Sequence, residues 1–94
     1  MRDKFRREGE FYAYIVKCAD GTYYTGYTNN LDNRIKEHND SKRGAKYLRG
    51  RLPVRLAYVK DYKYYKRALQ AERRIKGLSH KQKQELVRIH EKAR

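Results

Sequence analysis

Four side chains in this sequence have the types and spacing to do chemistry together: Tyr14, Tyr24, Arg34 and His38. Two phenols stand ten residues apart, an arginine follows ten residues after the second, and a histidine four further on. Leu31, Arg34, Ile35 and His38 recur at the spacing of one helical face. Leucine and isoleucine suit a core-facing stripe, but burying a cation without a partner is expensive. Arg34 and His38 are therefore expected to line a wet cleft at the edge of the core. A guanidinium in a cleft offers a forked set of donors to phosphate oxygens. Glu72 stands in a second helical stripe, Tyr65, Ala68, Leu69, Glu72 and Ile75, where an aliphatic residue is expected. A carboxylate there needs a cation, supplied either by an ion pair with Arg34 or a lysine, or by a metal.

The elements that must position these groups begin with a hairpin. Residues 11–18 and 22–28 are rich in aromatic and β-branched residues, which favour half-buried strands. Ala19-Asp20-Gly21 between them marks a turn. A two-residue turn at Asp20-Gly21 would put Tyr14 and Tyr24 on opposite faces. A three-residue loop, with Gly21 left-handed, pairs Val16 with Tyr24 and sets Gly26 opposite Tyr14. The second register gathers Tyr14, Tyr24 and Gly26 on one face and is the one expected here. A helix over about 30–40 follows, capped by Thr28, Asn29 or Asn30.

Further along, Lys42, Arg43, Lys46, Arg49 and Arg51 crowd around Gly44 and Gly50, with a short helical turn near 45–49. These cations suit a loop that grips a phosphate backbone, and Lys42, Lys46 and Arg49 are the chosen contacts. Tyr47 suits base stacking or the core. Residues 54–60 alternate as a third strand, with Val54, Leu56 and Tyr58 on one face. Asp61 is the expected cap of a helix over 62–76 that stops at Gly77. Ser79 and Gln82 form a capping box that opens a last helix over 79–92, with Leu86, Ile89 and His90 as its apolar edge. Together these elements predict an α+β fold, a three-stranded antiparallel sheet flanked by helices. Residues 1–10 read as a charged tail and 11–94 as one domain.

The spaced set resembles the GIY-YIG nuclease superfamily from about Phe11 to Leu86. Tyr12-Ala13-Tyr14 stands for the first tripeptide and Tyr24-Thr25-Gly26 for the second, with Tyr12 replacing a glycine. Arg34, His38 and Glu72 fall at the offsets of the arginine, the tyrosine-or-histidine and the glutamate of that pattern. Gln84 stands where many members carry asparagine, and Tyr27 where some carry lysine. The resemblance implies an endonuclease that hydrolyses phosphodiester bonds in DNA, with one Mg²⁺ or Mn²⁺ ion held by Glu72. It also implies catalytic roles for Tyr14, Tyr24, Arg34 and His38, the first tyrosine more than the second as base. Tyr27 becomes a hydrogen-bond donor to substrate. The adjacent metal and Arg34 would be expected to lower the tyrosine pKa from its free value of about 10.

Composition points to the same partners. The chain carries a formal net charge of +14 and ten tyrosines in 94 residues, which suits a polyanionic partner, DNA or RNA before an acidic membrane; the resemblance favours DNA over RNA. A basic binding module without catalysis would use the same surface. Members of the resembled family usually carry an extra domain that chooses the target; here either the basic loop suffices or a partner protein supplies the specificity. The single Cys18 excludes an internal disulfide and a Cys-rich zinc pattern. No apolar run is long enough to span a membrane and no secretory signal is visible, so a cytoplasmic setting is expected.

Overall fold

The computed structural model describes residues 8–40 and 43–93. Strands β1 (Glu8–Lys17), β2 (Tyr23–Thr28) and β3 (Arg55–Tyr64) form one antiparallel sheet in the order β2-β1-β3. Helices α1 (Leu31–His38), α2 (Tyr65–Lys76) and α3 (His80–Lys92) complete the α+β fold, with a 3-10 turn at Lys46–Leu48. β1 lies in the middle and is buried on both faces. Ala13 and Ile15 pack against Ala71 and Ile75 of α2 and Val87 of α3. Tyr14 and Val16 pack on the other side with Leu31 and Ile35 of α1 and with Leu48. Each fully buried large apolar side chain contributes about 1.5–3 kcal/mol, and in so small a chain Tyr14 and Tyr23 supply area that aliphatics do not.

The hairpin takes the three-residue loop. Gly21 has φ +86°, its N–H donates to the Cys18 carbonyl at 3.0 Å, and the Cys18 N–H donates to Thr22 at 2.8 Å. Val16 therefore pairs with Tyr24 and Tyr14 with Gly26. Asp20 closes the turn by accepting from the Thr22 N–H (3.1 Å) and hydroxyl (2.6 Å). Asn30 caps α1, accepting from the Asn33 N–H, and the Ser79–Gln82 capping box is formed in both directions.

Three expected details are corrected. β1 starts at Glu8, inside the expected tail, and β3 runs on to Tyr64 beside it. Asp61 pairs with Tyr12 in the ladder and is not a cap. α2 starts at Tyr65 with no side-chain cap. Long-range strand pairing has overridden the local capping signal. Second, Ile15 pairs with Tyr58 but Val16 pairs with Leu56, so Ala57 is an extra, bulged residue. Leu56 serves the α1 side, while Ala57 and Tyr58 serve the α2/α3 side. Third, α3 packs through Val87 and Leu86, while Ile89 is exposed; His90 meets Tyr58 edge-on.

Two contacts fix the basic loop. Asn39, just after α1, donates to the Val54 carbonyl (3.1 Å) and accepts from the Val54 N–H (2.7 Å). Arg51 forms an ion pair with Asp20, and its carbonyl accepts from the Ala19 N–H at 2.9 Å. Residues 1–7, Ser41 and Lys42 lie outside the described residues. Among the described residues no helix is long and apolar enough to cross a membrane.

Candidate active site

Tyr14 is the centre. Its side chain leaves β1 on the α1 face and lies across Gly26 of the edge strand β2, where an added Cβ would stand 2.5 Å from the Tyr14 hydroxyl. His38, at the end of α1, meets that hydroxyl at 2.6 Å through Nε2. Arg34, one turn earlier, hydrogen-bonds the same oxygen. Glu37 holds the Arg34 guanidinium at 3.1 Å. Tyr24 presents its ring at right angles to His38, with centroids 5.4 Å apart, and stacks on Tyr47 at 5.8 Å. Arg51 covers the Tyr47 ring at 4.4 Å. A continuous run of rings thus leads from Arg51 on the surface to Tyr14 in the core.

Tyr14 and His38 are each 1 % exposed. His38 is therefore not the cleft-lining group expected from its helical position. Burial, with the Arg34 charge adding to it, pushes its imidazolium down to about pKa 4. Burial pushes the Tyr14 phenol up to about 12, outweighing Arg34, which pulls it down in the expected direction; Tyr24 and the Glu72 charge push the same way as burial. At neutral pH both groups are uncharged. The Tyr14 oxygen accepts from Arg34, and its own proton has an acceptor in Nε2 of His38. That tautomer leaves the proton on Nδ1 of His38, which is buried with no partner among the described residues.

Glu72 projects from the middle of α2 and is 7 % exposed. Its carboxylate lies 3.5 Å from Lys76, itself half exposed, and its charge reaches both Tyr14 and Tyr27. A single sheltered carboxylate of this kind fits Mg²⁺ or Mn²⁺. Mg²⁺ in particular takes one or two carboxylates and fills its shell with water and substrate oxygens. Among the described residues no group of three or more His, Cys, Asp or Glu side chains gathers as a metal cage.

Strand alternation puts Tyr27 on the α2 side of β2, where its hydroxyl meets that of Tyr65 at 3.3 Å. Lys46 and Arg49 are exposed on the 3-10 turn and just after it. Gln84 is exposed on α3 and lines a separate groove with Lys17, Tyr23 and Arg55. Sequence reasoning missed Glu37 as the holder of Arg34, Asn39 as the clip to β3, and Tyr65, which it placed in the core stripe. Only Glu37 had a legible signal, its position three residues after Arg34.

A mixed sheet-and-helix domain that gathers Tyr14, Tyr24, Arg34 and His38 on the α1 face of the sheet, with the sheltered Glu72 on α2 near enough for its charge to act on Tyr14, defines a class. Residues 10–85 match the model of the GIY-YIG catalytic domain, and the chain belongs to that family of nucleases. Within it, the chain is similar to UPF0213 proteins. One from Bacillus cereus is 51 % identical over 74 residues, covering 79 % of this chain and 76 % of that protein. Another, from Natronomonas pharaonis, is 46 % identical over 83 % of this chain and 91 % of its own. The solution structure of the UPF0213 protein BH0048 from Bacillus halodurans superposes with a TM-score of 0.55 at 44 % identity, over 85 % of this chain and 84 % of that one. That of EF2693 from E. faecalis gives 0.59 at 35 %, over 89 % and 88 %.

Proposed function

We propose that this protein is a divalent-metal-dependent endonuclease that hydrolyses phosphodiester bonds in DNA in the cytoplasm, its target narrowed by a partner protein. One observation carries the reading. The Tyr14 hydroxyl, seated on Gly26, is acted on by His38, Arg34 and the Glu72 charge, groups drawn from two helices on opposite faces of the sheet.

In this mechanism Arg34 binds the scissile phosphate through its forked donors while Glu37 keeps it aimed. The attacking water gives its proton to the Tyr14 oxygen as the phenolic proton passes to Nε2 of His38. The water oxygen bonds phosphorus and the bond to the leaving sugar oxygen breaks. His38 stays neutral above about pH 4, so Nε2 keeps a lone pair on the phenolic proton, while the burial that lowers its pKa makes the imidazolium a strong acid that gives the proton up again. Tyr24 braces His38 through its ring. Glu72 would hold Mg²⁺ or Mn²⁺, which when bound supplies positive charge to the phosphoryl and leaving oxygens and favours the phenolate. Lys46, Arg49 and Lys42 neutralise flanking phosphates.

The test is incubation of branched, nicked and single-stranded DNA, and RNA, with Mg²⁺ or Mn²⁺. Native protein should cut DNA, while Glu72→Gln and Arg34→Ala should lose about a hundredfold or more in rate. Glu72→Gln should still bind. Tight binding by native protein without metal-dependent cutting would reduce the assignment to a binding module, and cutting that survives both substitutions would come from a contaminant.

A further inference from the structure

Tyr65, the first residue of α2, closes a cluster of three rings. Its ring stands edge-on to Phe11 (centroids 5.7 Å) and to Tyr27 (5.8 Å), and its hydroxyl meets that of Tyr27 at 3.3 Å. These three rings, with Thr28, Asn29 and Arg34, line an open cavity of about 430 Å³. In a pair of hydroxyls one proton is shared between the oxygens and the other is free to point outward. The bond to Tyr65, then burial, pushes the Tyr27 phenol up, so Tyr27 keeps its proton at neutral pH.

Tyr27 and Tyr14 project from opposite sides of the sheet, so the edge strand β2 separates the two hydroxyl sites. Arg34 is common to both: it donates to Tyr14 and lines the cavity. A nucleic-acid strand carries a phosphate at every nucleotide. A strand held at Arg34 by one phosphate has its next phosphate one nucleotide away to present to the cavity that Arg34 also lines.

We propose that this cavity seats the backbone phosphate adjacent to the scissile one, the Tyr27 and Tyr65 hydroxyls donating to its oxygens and the aromatic walls packing on the attached sugar. The inference rests on the endonuclease reading in taking Tyr14 and Arg34 as the place of the scissile phosphate. Tyr65 sits on the same face of α2 as Glu72, seven residues or two turns before it. One helix thereby registers both the substrate strand and the carboxylate.

The test is the Kd of a short fluorescent oligothymidylate, measured by anisotropy in EDTA, so that no catalysis is needed. Tyr65→Phe and Tyr27→Phe keep the ring contacts and remove one hydroxyl each. Each should weaken binding by about three- to tenfold, the size of one lost hydrogen bond. The double variant should lose little beyond either single, because the hydroxyls act as a pair. Tyr64→Phe, an exposed neighbour, should bind as native. With alternating neutral methylphosphonate linkages the Tyr65→Phe penalty should shrink, and a penalty that persists in full refutes phosphate as the group held. Binding by Tyr65→Phe and Tyr27→Phe within about twofold of native also refutes it. If Tyr65→Phe does not fold, Tyr27→Phe and the shift of the Tyr27 and Tyr65 ring resonances on titrating native protein decide. Native protein that cuts DNA while the two variants bind normally refutes this site alone. Variants that bind weakly while native protein never cuts would uphold the site and remove the endonuclease.

Discussion

Replacing Gly26 by alanine tests the seat of Tyr14 directly. The backbone there is ordinary strand, and alanine in a strand is better than glycine by about 0.5–1 kcal/mol. Against that, the new methyl would stand 2.5 Å from the Tyr14 Oη and 2.7 Å from its Cζ. The ring has little freedom to retreat, because it is fully buried and its hydroxyl is held by His38. Overpacking of this kind costs about 1–3 kcal/mol. The net expectation is a loss of about 0.5–2 kcal/mol, which lowers Tm by several degrees in a domain of this size. In a Tyr14→Ala background the clash is gone, and Gly26→Ala should stabilise by about 0.5–1 kcal/mol. Urea denaturation midpoints of the four proteins measure the cycle. A midpoint raised by Gly26→Ala with Tyr14 intact would show that the glycine is not there to seat the phenol.

His38 gives an acid limb to stability. Its folded pKa of about 4 lies below the unfolded value of 6.5, so between those pH values the unfolded chain binds a proton that the native chain refuses. The contribution is fully present above about pH 6.5 and falls with acid, by about 3 kcal/mol in all. His38→Gln should flatten the pH dependence of the urea midpoint across that window, and an unchanged slope would contradict the burial argument. Asn39→Ala leaves both polar groups of the buried Val54 backbone without their partner; the expected loss is about 1–3 kcal/mol, read from the same midpoints. Binding to an oligonucleotide should weaken linearly in log Kd against log salt. Lys46→Ala and Arg49→Ala should each lower that slope by about one, and a slope that neither changes would remove the loop from the interface.

Much of the hairpin and its neighbours was legible because their signals are local. Asp20-Gly21 and the strand patterns restrict the loop to two registers, and the placing of Gly26 opposite Tyr14 follows from one of them. The Asn30 cap and the Ser79–Gln82 box lie within three residues of the groups they bond. Glu72 stood out because it interrupts an apolar stripe, and it is buried. β3 was misread where distant pairing decides: Asp61 looks like a cap until Tyr12 is known to lie beside it. The depth of His38 and the raised Tyr14 pKa depend on how many groups close over a side chain from other elements, which spacing along one helix does not encode. Tyr65 was hidden because a tyrosine in an apolar stripe carries no mark showing where its hydroxyl will end up.

The additional residue at Ala57 gives β3 a change of phase. Before it, odd and even positions address one layer and the other; after it, the assignments are exchanged. Deleting Ala57 alone would leave Leu56 opposite Val16 and Tyr58 opposite Ile15, so the later residues would keep their partners and faces. Closing the bulge with the residue still present, so that Ala57 paired with Ile15, would turn every later side chain through Tyr64 to the wrong side. Tyr58 would then face α1 and Val59 the α2/α3 layer, and Tyr65 would enter α2 rotated away from Tyr27. A slip of one position near the far edge of the sheet would thus be felt at the mouth of the cleft.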